Sequence, residues 1–182
     1  MNIVELRAQI AAWTDATDGE AMKSRDLILS LLDGTPEPFA RHQFAPGHIT
    51  ATGMVLHPDQ DAVLTVHHKR LDRWLLPGGH VEAGDTDIFA AAAREVLEET
   101  AAPLVDAVAP YIAGLDVHSI PGNAKEPYHL HHDVVIGFVA ASEVLQVSEE
   151  SCAVAWRRPD EFDAFGIPGN VRRAFAKRRV RL

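Results

Sequence analysis

Three glutamates in one short segment have the spacing needed to bind a metal ion. Glu95, Glu98 and Glu99 stand at positions i, i+3 and i+4 of an alanine-rich segment, so in a helix their carboxylates share one face. Like charges at this spacing destabilise a helix by about 0.2–0.5 kcal/mol per pair, and a hard divalent cation would relieve that repulsion. Carboxylate oxygens suit Mg²⁺ or Mn²⁺. Taken alone, such a triple is more often a solvated helix surface.

Arg94 and a glycine-rich loop lie next to these glutamates. Arg94 can pair with Glu98 four residues later, or reach back to Asp85 and hold the loop against the helix. The loop, residues 78–85, contains three glycines. Glycine lets backbone approach a ligand closely, so loop carbonyls could join a metal shell, and exposed amides near the helix start or His80 could contact phosphate. Loop and glutamates together favour a metal–phosphate site, although a Gly-Gly turn alone is merely a turn.

The sequence contains ten histidines, and several alternate along predicted strands. His129, His131 and Asp133 share one face of their strand, and Asp116 and His118 share one face of the preceding strand. If these strands pair, the side chains converge. One interpretation is a second metal or phosphate-contacting site. The other is a set of polar residues that line a pocket mouth or hydrogen-bond each other.

These residues need helices and strands to position them. Apolar periodicity predicts helices over residues 3–13, 19–32 and 87–100, and a last basic helix over about 168–181. Strands are predicted over residues 49–56, 62–68, 74–76, 110–119, 129–140 and 152–157. Strands and helices mix without strict alternation, which favours an α+β fold over a doubly wound parallel sheet.

The loop and helix together resemble the signature of the Nudix hydrolases. That signature reads Gly, five residues, Glu, seven residues, then Arg-Glu-apolar-any-Glu-Glu-any-Gly-apolar. Gly79 opens it here, and Arg94 to Thr100 match its helical part fully. The resemblance covers residues 79–102 strongly and about residues 47–166 in strand order.

This sequence departs from the signature at three places. Asp85 stands where Glu is usual, eight residues (86–93) follow it instead of seven, and Ala101 replaces the last Gly. We expect the extra residue to be absorbed at the junction of loop and helix. If the backbone at Ala101 is left-handed, alanine there costs about 1 kcal/mol.

The resemblance implies a mixed β-sheet sandwiched between helices. It assigns residues 46–182 to a Nudix hydrolase domain and leaves residues 1–45 as an N-terminal helical hairpin extension, packed on this domain or on a partner subunit. It also implies a pyrophosphohydrolase, in which water attacks a phosphorus of a nucleoside diphosphate linked to another moiety. An apolar hairpin face left uncovered would favour a homodimer.

The resemblance also implies roles for particular residues. Glu95, Glu98 and Glu99 would bind Mg²⁺ or Mn²⁺, assisted by the carbonyl of Gly79. Arg94 would orient them, so Arg94, Glu98 and Glu99 are the predicted catalytic residues. The metal would lower the pKa of bound water and neutralise charge on the phosphates.

The base and the substrate contacts are less closely defined. One of the box glutamates could act as base, but in some members of the family the base lies on a later loop. The later-loop candidates, each more often an ordinary surface acid, are Glu126, Glu149 and Glu150. Substrate contacts are predicted for His80, His129 and His131. The pocket outside the signature selects the substrate, so several nucleoside diphosphate derivatives stay open.

Two other functions compete with hydrolysis. A catalytically silent Nudix-like nucleotide-binding sensor is one, but such proteins usually lose glutamates that this sequence retains. Isomerisation of a prenyl diphosphate is the other, and it needs a cysteine in the pocket. The single cysteine, Cys152, lies far from the signature in an apolar strand and is predicted to be inert core.

Composition restricts the partners and the compartment. The formal net charge of −9 argues against binding of duplex nucleic acid or an acidic membrane surface. One cysteine excludes an internal disulfide framework and favours a reducing compartment, the cytoplasm. The first residues lack the basic start and apolar core of a signal peptide, and no apolar run approaches the roughly 20 residues that span a membrane.

Overall fold

The computed structural model describes residues 1–149 and 151–178, which form four α-helices and one seven-stranded sheet. Glu150, one of the candidate bases, and residues 179–181 of the predicted last helix lie outside this part of the chain. The helices are α1 (Ile3–Ala12), α2 (Gly19–Gly34), α3 (Ile88–Thr100) and α4 (Gly169–Ala176). The strands are β1 (Gly47–Leu56), β2 (Val63–His68), β3 (Arg73–Leu75), β4 (Gly78–His80), β5 (Tyr111–Ile120), β6 (His129–Val139) and β7 (Ser151–Arg157).

Strand β1 forms the centre of a mixed sheet. It runs parallel to β6 over its whole length, and β5 pairs antiparallel with the outer edge of β6. The other edge of β1 pairs antiparallel with β4 and, at Leu56, with β2, which carries β3 and β7 on its own edges. The predicted α+β fold is therefore confirmed.

The two faces of the sheet are covered by different helices. Because side chains alternate along a strand, Ile49, Ala51 and Val55 of β1 pack with α1, α2 and α3 in one core cluster. Met54 and Leu56 face the other way and pack with residues of α4. The sheet is thus sandwiched between helices, as the resemblance implies.

The N-terminal helices pack as a hairpin on this same chain. Leu6 and Ile10 of α1 and Ile28 and Leu31 of α2 are buried in the core cluster that contains α3. The burial of these side chains contributes roughly 1.5–3 kcal/mol each. The apolar face of the hairpin is covered by its own domain, so it supplies no argument for a homodimer.

Two expectations about individual elements are wrong. The last helix ends at Ala176 within the described chain, whereas the basic pattern predicts helix to about residue 181. Cys152 is exposed and not buried in the core, because β7 is an edge strand and Cys152 lies opposite the irregularity between His67 and His68. None of the helices among the described residues has the length and apolar character needed to cross a membrane.

Candidate active site

Helix α3 carries the glutamates, and its start is fixed by Asp87. The Asp87 carboxylate accepts a hydrogen bond from the N–H of Ala90 at 2.8 Å, which satisfies one of the amides that a helix start leaves without a partner. The helix begins at Ile88, so the glycine-rich loop continues through Asp87 before the first turn.

The guanidinium of Arg94 connects the loop to the glutamates. Its Nε and Nη2 donate to the two carboxylate oxygens of Asp85 at 3.0 and 3.1 Å. Its Nη1 donates to Glu95 at 2.9 Å and to Glu98 at 3.0 Å, and Nη2 also donates to the carbonyl of His80 at 2.9 Å. Both predicted contacts of Arg94, with Asp85 and with Glu98, are present. The shorter Asp85 side chain therefore still reaches the arginine despite the extra residue.

Burial and charge act in opposite directions on these acids. Burial alone would raise the pKa of Asp85, but hydrogen bonds from Arg94 and from the N–H of Glu82 outweigh it and lower that pKa. The hydrogen bond with Asp85 raises the pKa of Arg94 in turn. For Glu95, burial dominates and raises the pKa despite the nearby Arg94. The buried negative charge of Glu95 is only partly compensated, so a cation next to it would be stabilising.

The glutamates meet the glycine loop at very short range. A Cβ atom built on Gly79 would lie 2.7 Å from Oε1 of Glu95, so a side chain there would displace the carboxylate. The N–H of Gly78 donates to Oε2 of Glu99 at 3.2 Å. The acidic side chains at this site offer only oxygen atoms as metal ligands, and such a ligand set fits the predicted Mg²⁺ or Mn²⁺.

The end of α3 has the backbone shape that the signature glycine would provide. Ala101 has φ 52° and ψ 17°, in the left-handed region, and its N–H donates to the carbonyl of Leu97 at 2.9 Å. Alanine thus occupies a position that favours glycine. The loss of the last signature glycine leaves the left-handed helix end in place.

A second group of polar residues lies on the sheet face that packs against α4. Helix α4 covers the opposite end of that face. The register pairs Asp116 with Asp133 and His118 with His131, and Ile120 with His129. The His131 ring centre lies 5.5 Å from that of His118 and 5.2 Å from that of His129. The predicted convergence of these residues is therefore confirmed.

Two further histidines join this group: His80, which was predicted as a substrate contact together with His129 and His131, and His48, which sequence reasoning did not single out. His48 comes from β1, and its ring centre lies 4.9 Å from His131, 5.1 Å from His129 and 5.0 Å from His80. His80 lies 5.3 Å from His131. Only the parallel pairing of β1 with β6 brings His48 opposite His131, and no local pattern reports that register.

Burial favours the uncharged forms of His80, His131 and Asp133. Burial, aided by the charges of neighbouring histidines, lowers the pKa of His80 to about 4 and of His131 to about 2. Burial raises the pKa of Asp133, whose Oδ1 accepts 2.8 Å hydrogen bonds from the hydroxyls of Thr50 and Thr52. The imidazoles of His80 and His131 are therefore uncharged near neutral pH. Each has one N–H that can donate and one nitrogen that can accept or bind a metal.

The later-loop acids have different surroundings. Glu126 accepts hydrogen bonds from Arg41 at 3.0 and 3.2 Å, and its charge acts on His80. It therefore lies on the histidine side of the sheet. Glu149 lies on the surface, where its backbone carbonyl accepts a hydrogen bond from Lys69 at 2.5 Å. Within the described chain, the hydrogen bonds of Glu95 and Glu98 come from Arg94 and not from either of these loops.

Comparison with known proteins agrees with this geometry. A family model described as the NUDIX domain matches residues 47–177. A NUDIX-family hydrolase from Clostridium perfringens has 21% identity and a TM-score of 0.51, with 75% of this chain and 97% of that chain covered. The dihydroneopterin triphosphate pyrophosphohydrolase of E. coli has 20% identity and a TM-score of 0.50, with coverages of 71% and 92%.

Another similar structure is much longer than this chain. It is a bifunctional NMN adenylyltransferase/ADP ribose pyrophosphatase from Francisella tularensis, with 22% identity and a TM-score of 0.46. The match covers 84% of this chain and only 42% of that protein. A search of curated protein sequences gave no significant match.

Proposed function

This chain belongs to the Nudix hydrolase family, and we propose that it hydrolyses the diphosphate linkage of a nucleoside diphosphate derivative with the help of Mg²⁺ or Mn²⁺. The observation that carries the proposal is the network of Arg94, which holds Glu95 and Glu98 together next to the glycine loop. A solvated triple of glutamates would have no need for a half-buried arginine shared with Asp85 and a loop carbonyl.

The proposed metal ligands are the carboxylates of Glu95, Glu98 and Glu99 and the carbonyl of Gly79. Their side chains differ in exposure: Glu98 is 57% exposed and Glu95 is 13% exposed, and Glu99 is buried. When bound, the metal would supply Lewis acidity toward the phosphate oxygens and a lowered pKa for water. The absence of a side chain on Gly79 leaves room for the Glu95 carboxylate at the loop.

The residues of the chain have separate tasks in the proposed reaction. Hydrolysis adds water across the P–O–P bridge, which leaves two phosphate esters and releases a proton. Glu98 is the proposed acceptor of that proton, since it is the most exposed of the three acids. Arg94 fixes the Glu98 carboxylate from a distance of 3.0 Å, and Asp85 holds Arg94 in place. Glu99, fixed by the N–H of Gly78, completes the set.

The histidine face is the proposed substrate surface. His80 of β4 and His129 and His131 of β6 project to one side of the sheet, with β1 between the two strands. The backbone of His80 contacts Arg94. Since the backbone of His80 contacts Arg94 and its imidazole belongs to the histidine group, we propose that these imidazoles contact the part of the substrate beyond the scissile phosphates. A cytoplasmic location belongs to the same proposal, with the single cysteine as its support.

Phosphate-coupled turnover tests the proposal. The native protein would be incubated with Mg²⁺ or Mn²⁺ and a panel of nucleotide sugars, ADP-ribose, dinucleoside polyphosphates, nucleoside triphosphates and coenzymes. The Glu98→Gln variant keeps the size of the side chain and removes its charge. Glu20→Gln alters an exposed acid on α2, paired with Lys23, and serves as the matched control.

We expect turnover of at least one compound by the native protein and by Glu20→Gln. Glu98→Gln should lower kcat by about 10²-fold or more. If no compound is turned over while one nucleotide binds tightly without metal, the hydrolase proposal is wrong and the sensor function is favoured.

A further inference from the structure

His48 is a completely buried histidine with one ring nitrogen that lacks a partner. It is 0% exposed, and its Nδ1 lies 3.1 Å from the carbonyl oxygen of Gln43. A carbonyl can only accept, so Nδ1 carries the proton and Nε2 carries the lone pair. Nε2 is buried and has no hydrogen-bond partner in the described chain. A buried acceptor left in this way costs free energy, so a ligand for it is expected.

Two other imidazoles lie next to the His48 ring. One ring nitrogen of each of His48, His80 and His131 lies within 4.8 Å of the other two. His80 and His131 are half-buried, and within the described residues neither ring takes part in a hydrogen bond. The three side chains come from β1, β4 and β6, so the sheet itself holds them together.

We propose that His48, His80 and His131 form a second metal site, for a borderline divalent cation such as Zn²⁺, Co²⁺ or Ni²⁺. Imidazole nitrogen is a preferred ligand for these ions, whereas Mg²⁺ prefers oxygen. The contact between Nδ1 of His48 and a backbone carbonyl is the outer-shell arrangement that typically orients a metal-binding histidine. The proposal does not depend on diphosphate hydrolysis.

The site is distinct from the three glutamates. Gly79 and His80 are consecutive in β4, so they face opposite sides of the strand: the Gly79 side meets Glu95, and the His80 imidazole meets His48. The carbonyl of His80 accepts the hydrogen bond from Arg94. One residue therefore connects the two sites through its backbone and its side chain.

The rings need a modest movement to coordinate an ion. Nitrogens bound to tetrahedral Zn²⁺ at 2.0–2.1 Å lie roughly 3.4 Å apart, which is shorter than the 4.8 Å limit here. His48 is fixed by burial and by Gln43, so rotation of the half-buried His80 and His131 rings would close the gap. Three imidazoles leave a fourth position open, and a substrate oxygen or water could occupy it.

A cobalt titration of the full-length protein tests this site. Excess Mg²⁺ is present throughout to occupy the carboxylates, and Co²⁺ binding is followed by visible absorption, with Zn²⁺ added at the end as competitor. His131→Gln removes one proposed ligand from a half-buried position, and His80→Asn is the second such variant. His118→Gln is the matched control, since His118 lies opposite His131 on β5 but outside the three. Glu98→Gln reports on the carboxylate site.

We expect one equivalent of Co²⁺ with the absorption of a nitrogen-ligated ion, displaced by Zn²⁺. His131→Gln and His80→Asn should each weaken binding by about tenfold or more, with circular dichroism unchanged. Glu98→Gln should leave the affinity within about threefold of the native value. His118→Gln, whose ring contacts His131 but is not among the three ligands, should weaken binding less than either ligand variant. The proposal is wrong if no equivalent binds in the presence of Mg²⁺. It is equally wrong if Glu98→Gln abolishes binding while both ligand variants retain it.

Discussion

Arg94 donates two parallel hydrogen bonds to the carboxylate of Asp85, from Nε at 3.0 Å and from Nη2 at 3.1 Å. The Asp85 side chain is 5% exposed and that of Arg94 is 20% exposed, so water screens the pair poorly. This bidentate contact fixes the plane of the guanidinium, and that plane aims Nη1 at Glu95 and Glu98. Arg94 therefore connects the glycine-rich loop, through Asp85, to the glutamates of α3.

Removal of the Asp85 charge should weaken both stability and activity. Asp85→Asn would remove the carboxylate that receives two hydrogen bonds from the half-buried Arg94, which keeps Glu95 and Glu98 as partners. We expect the free energy of unfolding to fall by about 2 kcal/mol.

The control is Asp26→Asn. The Asp26 side chain pairs with Arg25 and is 66% exposed, so its loss should lower the free energy of unfolding by less than about 1 kcal/mol. Urea unfolding of both variants measures the difference. If both variants lost the same free energy of unfolding, the Arg94–Asp85 pair would stabilise the fold no more than an exposed ion pair does.

Substitution of Gly79 should impair the reaction more than the fold. In Gly79→Ala the new methyl would lie 2.7 Å from Oε1 of Glu95, so the carboxylate must move. A displacement of a catalytic group by about 1 Å can lower kcat by about 10²-fold. Gly84→Ala, in the same loop, meets no atom within 4 Å and should retain native kcat. Steady-state kinetics, with melting curves for both variants, would contradict this if the two substitutions had the same effect.

The same substitution should have opposite effects at an alanine inside α3 and at Ala101, the residue that follows it. Ala101 has φ 52°, so Ala101→Gly relieves left-handed strain and should raise the free energy of unfolding by roughly 0.5–1 kcal/mol. Ala93→Gly, inside the helix, should lower it by about 1 kcal/mol. Chemical denaturation measures both. A loss of stability in Ala101→Gly would mean that the alanine is not strained at this position.

The contribution of Asp15 should disappear in acid. A hydrogen bond from Lys177, with others from Thr17, lowers the pKa of Asp15 to about 2, against an ordinary value near 4. Because the folded pKa is depressed, the stabilisation is complete above the unfolded pKa and is lost as the pH falls through about 2. This contact joins the segment before α2 to the end of α4.

We therefore expect Asp15→Asn to lower the free energy of unfolding by about 1–2 kcal/mol at neutral pH. The difference from the native protein should shrink below about pH 4 and disappear once the pH falls below about 2. Asp160→Asn, at a side chain that is 76% exposed, is the control and should show little difference at any pH. A gap between native and Asp15→Asn that persists unchanged in acid would contradict the assignment.

The sequence by itself determined the local geometry of the candidate site. Residues three and four apart on a helix are neighbours in any fold. The sequence alone therefore predicts that the three glutamates share one helix face and that Arg94 pairs with Glu98. Strand alternation is equally local, which is why Asp116, His118, His129 and His131 were expected on common faces. The positions of most strands followed from the same short-range patterns.

Tertiary structure decided what pairs over long distances. His48 stood in the connection before a predicted strand, and only the parallel register of β1 with β6 places it among the other histidines. Cys152 was expected in the core, but the pairing of β7 with a single neighbour left it exposed. Likewise the periodicity of α1 and α2 predicts an apolar face without saying what covers it. The register and docking of distant elements depend on the packing of the whole chain, which no segment of a dozen residues contains.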